Sequence, residues 1–155
     1  FDGNVPEFNG NKNDVDEEYR DEAKQTIIDF DAKIENCEFA DALQIIWNFI
    51  SRSNKYIDET KPWELAKDES RKDELKSVIY HLIAGLRHIA VLINPLLGET
   101  SENILRQIGN KEEISWDTLL EFEKMPTTKV IEKGEPIFMR LVEADEIEHI
   151  KNLMK

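Results

Sequence analysis

The chain has 155 residues, is 40% hydrophobic and 34% charged, and carries a formal net charge of −13 with a single cysteine. That length provides for one domain with a real core, residues 1–155, and the composition suits a soluble, helix-rich globule rather than a fibrous or low-complexity chain. Cys37 alone forms no internal disulfide and sits in no metal-ligand spacing, no apolar run approaches the roughly 20 residues of a membrane helix, and no basic-then-apolar leader opens the chain, which together point to a reducing cytoplasm away from membranes.

The opening "FDGNVPEF" lacks Met, as a piece of a longer polypeptide would. Residues 15–37 have few breakers and apolar residues at helical spacing: Tyr19, Ala23, Ile27, Phe30 and Ile34. Residues 39–58 repeat the period with Phe39, Leu43, Ile46, Trp47, Ile50 and Ile57, so Trp47 is expected in a core stripe. Pro62 ends that helix and suits the first turn of a short new one, "PWELAKD". Residues 71–97 form a third long helix, with a stripe at Leu75, Val78, Ile79, Leu82, Leu86, Ile89, Leu92 and Ile93, and Pro95 ends or kinks it. "SENILRQIG" (101–109) predicts a short helix with a Ser cap and a Gly stop. The following stretch is loop-like, with a helical turn at Asp117–Leu120 and Trp116 expected in the core, and "EADEIEHIKNLMK" closes as an amphipathic helix. No strand alternation and no internal repeat interrupts this pattern. The fold class is all-α, an antiparallel helix bundle.

The charge is unevenly distributed. Residues 1–40 are net −8 and residues 99–155 net −5, while residues 41–98 balance eight acids against eight bases. The central third therefore permits contact with a phosphate backbone that the flanks would repel. Few residues are candidates for chemistry. His81 and His88 share a helix face seven residues apart, but with no third ligand they read as core or surface histidines. No phosphate loop, nucleophile elbow, HExxH or Cys–His pairing occurs, so no catalytic or metal residue is assigned and no cofactor is expected in this chain.

"NKYIDETKPW" differs from the rest. Asn54 and Asp58 are four apart on one face of a helix end, and Pro62 then sets Trp63 on the next turn. Two arrangements fit. Trp63 packs over the junction while Asp58 caps the following turn, or Trp63 offers a stacking platform beside directional polar groups, as exposed bases require.

The run "RSNKYIDETKPWELAKD" (52–68) resembles the anticodon-binding domain of methionyl-tRNA synthetases, in which an Asn-x-Tyr-(Ile/Val)-Asp-x-x-x-Pro-Trp pattern recurs. "FDGNVPEF", "HLIAGLRHIAVLINPLL", "ISWDTL" and "IEKGEPIFMRL" agree with it in order, so the resemblance covers nearly the whole chain. Class I synthetases for Ile, Leu, Val and Cys share the bundle plan without the Asp-x-x-x-Pro-Trp signature. The resemblance implies the class I aminoacyl-tRNA synthetase anticodon-binding type of bundle and a methionine tRNA anticodon loop as partner. It also implies that Trp63 stacks with the first anticodon base, that Asp58 and Pro62 shape its pocket, and that Asn54 supports it.

The sequence departs from the family in three places. The Rossmann catalytic domain with its His-x-Gly-His and Lys-Met-Ser-Lys-Ser motifs is absent. By that resemblance, adenylate formation with ATP belongs to the catalytic domain of a parent methionine–tRNA ligase, and this piece is inactive alone. The family's anticodon-reading Asn and Arg precede "FDG", and the usual "LFPR" reads "IFMR" here (Ile137–Arg140). The alternative reading is an acidic helical protein-interaction module that uses Trp63 as an anchor.

Overall fold

The computed structural model describes residues 1–10, 12–110, 116–124, 129–130, 134–138 and 142–153. Asn13 opens helix α1 (Asp14–Glu35): its backbone is extended and its side chain accepts the Asp16 amide at 2.8 Å. Acidic Asp14 and Glu17 sit in the first turn, where the helix dipole favours negative charge. The helix ends two residues before the expected Cys37. There Glu38 N–H reaches Lys33 O at 2.9 Å, Cys37 N–H reaches Ile34 O at 2.9 Å, and Cys37 takes a left-handed conformation (φ 60°). These two bonds satisfy carbonyls the helix end would otherwise orphan, in the geometry usually given to Gly.

Helix α2 (Phe39–Thr60) returns antiparallel to α1. Tyr19, Ala23, Ile27 and Phe30 of α1 meet Ala42, Ile46, Phe49 and Tyr56 of α2 in one core. A short α3 (Pro62–Leu65) and a 3₁₀ turn (Glu69–Arg71) lead into α4 (Lys72–Ile93), which packs against both long helices and adds Val78, Tyr80, Ala84, Ile89 and Leu92. By length and composition, Glu69–Ile93 could cross a membrane, which corrects the sequence expectation, yet 67% of its apolar window is buried inside the bundle. Its apolarity serves the core.

Helix α5 (Gly98–Gln107) folds back on α4. It begins three residues before the expected Ser101, which is buried inside the helix instead of capping it. Gly109 closes α5 with the same pair of bonds seen at Cys37 (Asn110 N–H to Leu105 O, 2.9 Å; Gly109 N–H to Arg106 O, 3.1 Å). The described C-terminal residues include α6 (Trp116–Leu119), a 3₁₀ turn (Phe122–Lys124) and α7 (Glu143–Leu153). The "IFMR" stretch is described only at Ile137 and Phe138, and the last two residues of the expected C-terminal helix lie outside the described residues. Near the N-terminus, Val130 N–H bonds Gly3 O at 2.8 Å beside an antiparallel bridge between Asn4 and Lys129, an isolated pairing among the described residues. The all-α bundle is as the sequence predicts.

Candidate functional site

Lys61 makes the junction between α2 and α3. It sits in the left-handed region (φ 45°, ψ 63°), and its N–H bonds Ile57 O at 2.9 Å to finish α2. Its carbonyl then accepts Glu64 N–H at 2.8 Å to start α3, with Pro62 in the first position, where a missing N–H does no harm. Leu65 is buried at 3% exposure and anchors this turn, which packs on α4, whereas Trp63 remains 50% exposed. No side chain caps α3, so the reading in which Asp58 is its cap is set aside.

Asn54 and Asp58 are both exposed, one turn apart on the outer face of α2. Pro62 is half-buried between that helix and α3. The same helical spacing extends the outer face back through Ser51 to Trp47, which is 50% exposed and not the core residue expected. The physical reason is angular: Ile46 and Phe49 point inward, and Trp47, one residue past Ile46, is rotated about 100° away. Phe39 and Leu86, also expected in core stripes, are 53% and 39% exposed.

The inner side of the same two turns of α2 is tightly held. Tyr56 stacks on Tyr19 with ring centroids 4.4 Å apart. Ser53 Oγ donates its one proton to Phe49 O at 2.9 Å, so the Tyr19 hydroxyl, 2.8 Å away, is the donor to Ser53. Arg52 reaches Glu22 of α1 (3.0 Å) and Glu59 (3.2 Å), with its guanidinium 5.6 Å and 5.9 Å from the centres of the Tyr19 and Tyr56 rings. Burial pushes the Tyr19 phenol up to about 12, against the opposing charge of Arg52. Burial, together with the adjacent Asp16 carboxylate, also raises Tyr56, so both phenols stay neutral donors. Helical periodicity alone does not mark these supports. Tyr56 was the visible signal, an aromatic residue placed between two polar ones in Asn-x-Tyr-Ile-Asp.

Around the junction, acids and bases alternate and pair: Lys55–Glu59 (3.2 Å), Lys61–Glu64 (3.8 Å), Arg71–Glu74 (2.6 Å) and Lys72–Glu69 (3.4 Å). The surface near Trp63 is therefore mixed in sign, unlike the acidic flanks. The histidines lie elsewhere: His81 and His88 are buried core residues with Nδ1 against the Ser77 and Ala84 carbonyls (2.7 Å each). Trp116, expected inside, is 37% exposed and leans on Phe30 with centroids 6.0 Å apart. Among the described residues, no cluster of three or more His, Cys, Asp or Glu is placed to hold a metal.

A family model for the anticodon-binding domain of tRNA ligase matches residues 16–155. The whole chain is 43% identical to part of the methionine–tRNA ligase of Bacillus subtilis and 42% identical to part of that of Streptococcus pneumoniae, spanning 24% and 23% of their lengths. The chain thus covers about a quarter of the curated relatives it matches. Its fold is similar to part of the apo methionyl-tRNA synthetase of Mycobacterium tuberculosis, with a TM-score of 0.77, 24% identity and coverage of 90% of this chain and 29% of that one.

Proposed function

The chain belongs to the anticodon-binding domains of tRNA ligases, in the form found in methionine–tRNA ligases, and from that premise we propose that it recognises the anticodon loop of methionine tRNA. It would do so as one domain of a cytoplasmic, ATP-dependent ligase whose catalytic domain makes the adenylate. Trp63 stacks with the first anticodon base, Asp58 and Pro62 form the polar and rigid sides of its pocket, and Asn54 supports it. One observation carries this reading: a half-exposed tryptophan on the turn immediately after a helix whose last two turns expose Asn54 and Asp58 on one face. A flat indole face gives a base a stacking surface, and the side chains beside it supply hydrogen bonds to the base edge. Mixed charge at the junction favours RNA over the alternative of a basic protein partner, which an acidic rim would attract.

The test is a titration of the chain with two stem–loops that differ only in the anticodon. The methionine anticodon should bind measurably tighter, and binding should weaken steeply with salt as phosphate contacts release counterions. Equal affinity for both stem–loops would sink the proposal.

A further inference from the structure

Tyr56 lies between Asn54 and Asp58 in sequence but on the opposite side of α2, with 0% exposure. Its hydroxyl donates to Asp16 Oδ1 of α1 at 2.6 Å. The other oxygen of Asp16 accepts from Ser77 Oγ of α4 at 2.7 Å and from Lys12 N–H at 2.9 Å. Asp16 is itself fully buried and makes no salt bridge among the described residues, so hydroxyls and an amide satisfy it in place of a cation. One carboxylate therefore ties three helices together at the level of the exposed Asn54–Asp58 face.

Such a carboxylate is an expensive way to obtain stability. Burying a charge is unfavourable unless it is fully hydrogen-bonded, and well-packed apolar groups in its place are often as stable or more so. What short, charge-assisted bonds add is direction. Stacked rings such as Tyr19 and Tyr56 tolerate sliding, whereas a hydroxyl held at 2.6 Å by a carboxylate does not.

We infer that Asp16 is a positioning residue for the anticodon-facing side of α2: bonded to Tyr56 on one oxygen and to α4 through Ser77 on the other, it fixes the rotation of α2 and thereby the direction in which Asn54 and Asp58 face. The inference rests on the anticodon reading above.

The experiment uses the full-length ligase containing this segment and measures KM for tRNA and kcat of charging, below the melting temperature of every variant. Tyr56→Phe removes the donor to Asp16 and keeps the ring. It should raise the tRNA KM about three- to tenfold, the size of one lost hydrogen bond, with kcat changed by less than about twofold. In an Asn54→Ala background the same change should add less than about twofold, because coupled residues are not additive. An unchanged KM, or a full additional effect in that background, would overturn the inference and leave Tyr56 a purely structural residue. Should Tyr56→Phe fail to fold, Ser77→Ala breaks the α4 side of the same carboxylate and is judged by the same comparison. Trp63→Ala is the control for the premise: if it charges tRNA normally, the anticodon reading itself fails. If it is impaired while Tyr56→Phe is silent, only the positioning role fails.

Discussion

The Tyr19 hydroxyl fills the space that a side chain on Gly85 would need. A Cβ built at Gly85 overlaps that hydroxyl and comes within 2.9 Å of Tyr19 Cζ. Gly85 lies inside α4, where exchanging Gly for Ala would ordinarily help by about 1 kcal/mol. Here Tyr19 cannot retreat without losing its bond to Ser53. Overpacking costs about 1–3 kcal/mol, so Gly85→Ala should lower the melting temperature despite the better helix former. Adding Tyr19→Phe should recover part of the loss. A Gly85→Ala variant more stable than wild type would show that the ring moves freely.

Trp63→Ala should leave folding nearly intact and damage tRNA use. A buried tryptophan costs about 3–5 kcal/mol on truncation, but Trp63 is 50% exposed and Leu65 carries the anchoring of α3. A lost base stack costs about 1–3 kcal/mol, or roughly tenfold to a hundredfold in affinity. Thermal melts and tRNA charging of the full-length ligase check both halves, and Trp63→Phe should restore part of the charging.

Asp58→Ala separates a binding role from a capping role. A lost cap costs about 1 kcal/mol, whereas an exposed residue that caps nothing changes stability by less than about 0.5 kcal/mol. Because no side chain caps α3, the melt should be unchanged while the KM for tRNA rises. A lower melt with unaltered tRNA kinetics is the opposite outcome.

Acid should weaken the bundle first through its histidines. Burial lowers the pKa of both His81 and His88, and it outweighs the backbone carbonyls that favour protonation: Ser77 at His81, and Ala84 and Leu119 (2.7 and 2.8 Å) at His88. The unfolded chain then binds these protons at higher pH than the folded one does. Their contribution is complete above the unfolded value of about 6.5 and falls away as the pH drops toward the folded values, by at most about 1.4 kcal/mol per pH unit for each ring. Urea melts at pH 7.5 and 5.5 should show this loss, and His88→Gln should flatten it. At lower pH the carboxylates of Asp68, Asp73 and Glu74, lowered by hydrogen bonds to Ser70, Lys76 and Arg71 respectively, add a second loss.

Cys37→Gly should stabilise the chain. Cys37 and Gly109 occupy equivalent left-handed positions after α1 and α5, with φ 60° and 73°. A non-glycine residue there carries about 1 kcal/mol of strain, and Cys37 is exposed, so little packing is lost with its side chain. A melting temperature higher by a few degrees is expected.

Local chemistry sets the long helices and the proline-set junction. Apolar period, breakers and Pro62 act locally, so α2 and α4 fall close to their expected spans and α3 starts where expected. Asn54 and Asp58 also share a face through helical spacing alone. Which face is inside is decided by packing. Trp47 and Phe39 belong to the apolar period of α2 yet lie outside, because α1 and α4 cover only the side carrying Ile46, Phe49 and Tyr56. Ser101 resembles a cap and is a core residue, because α5 starts a turn earlier against α4. The partners of Asp16, 40 and 61 residues away in sequence, leave no periodic trace at all. Periodicity reports what a residue is near along its own helix, and only the assembled bundle settles what that helix turns toward.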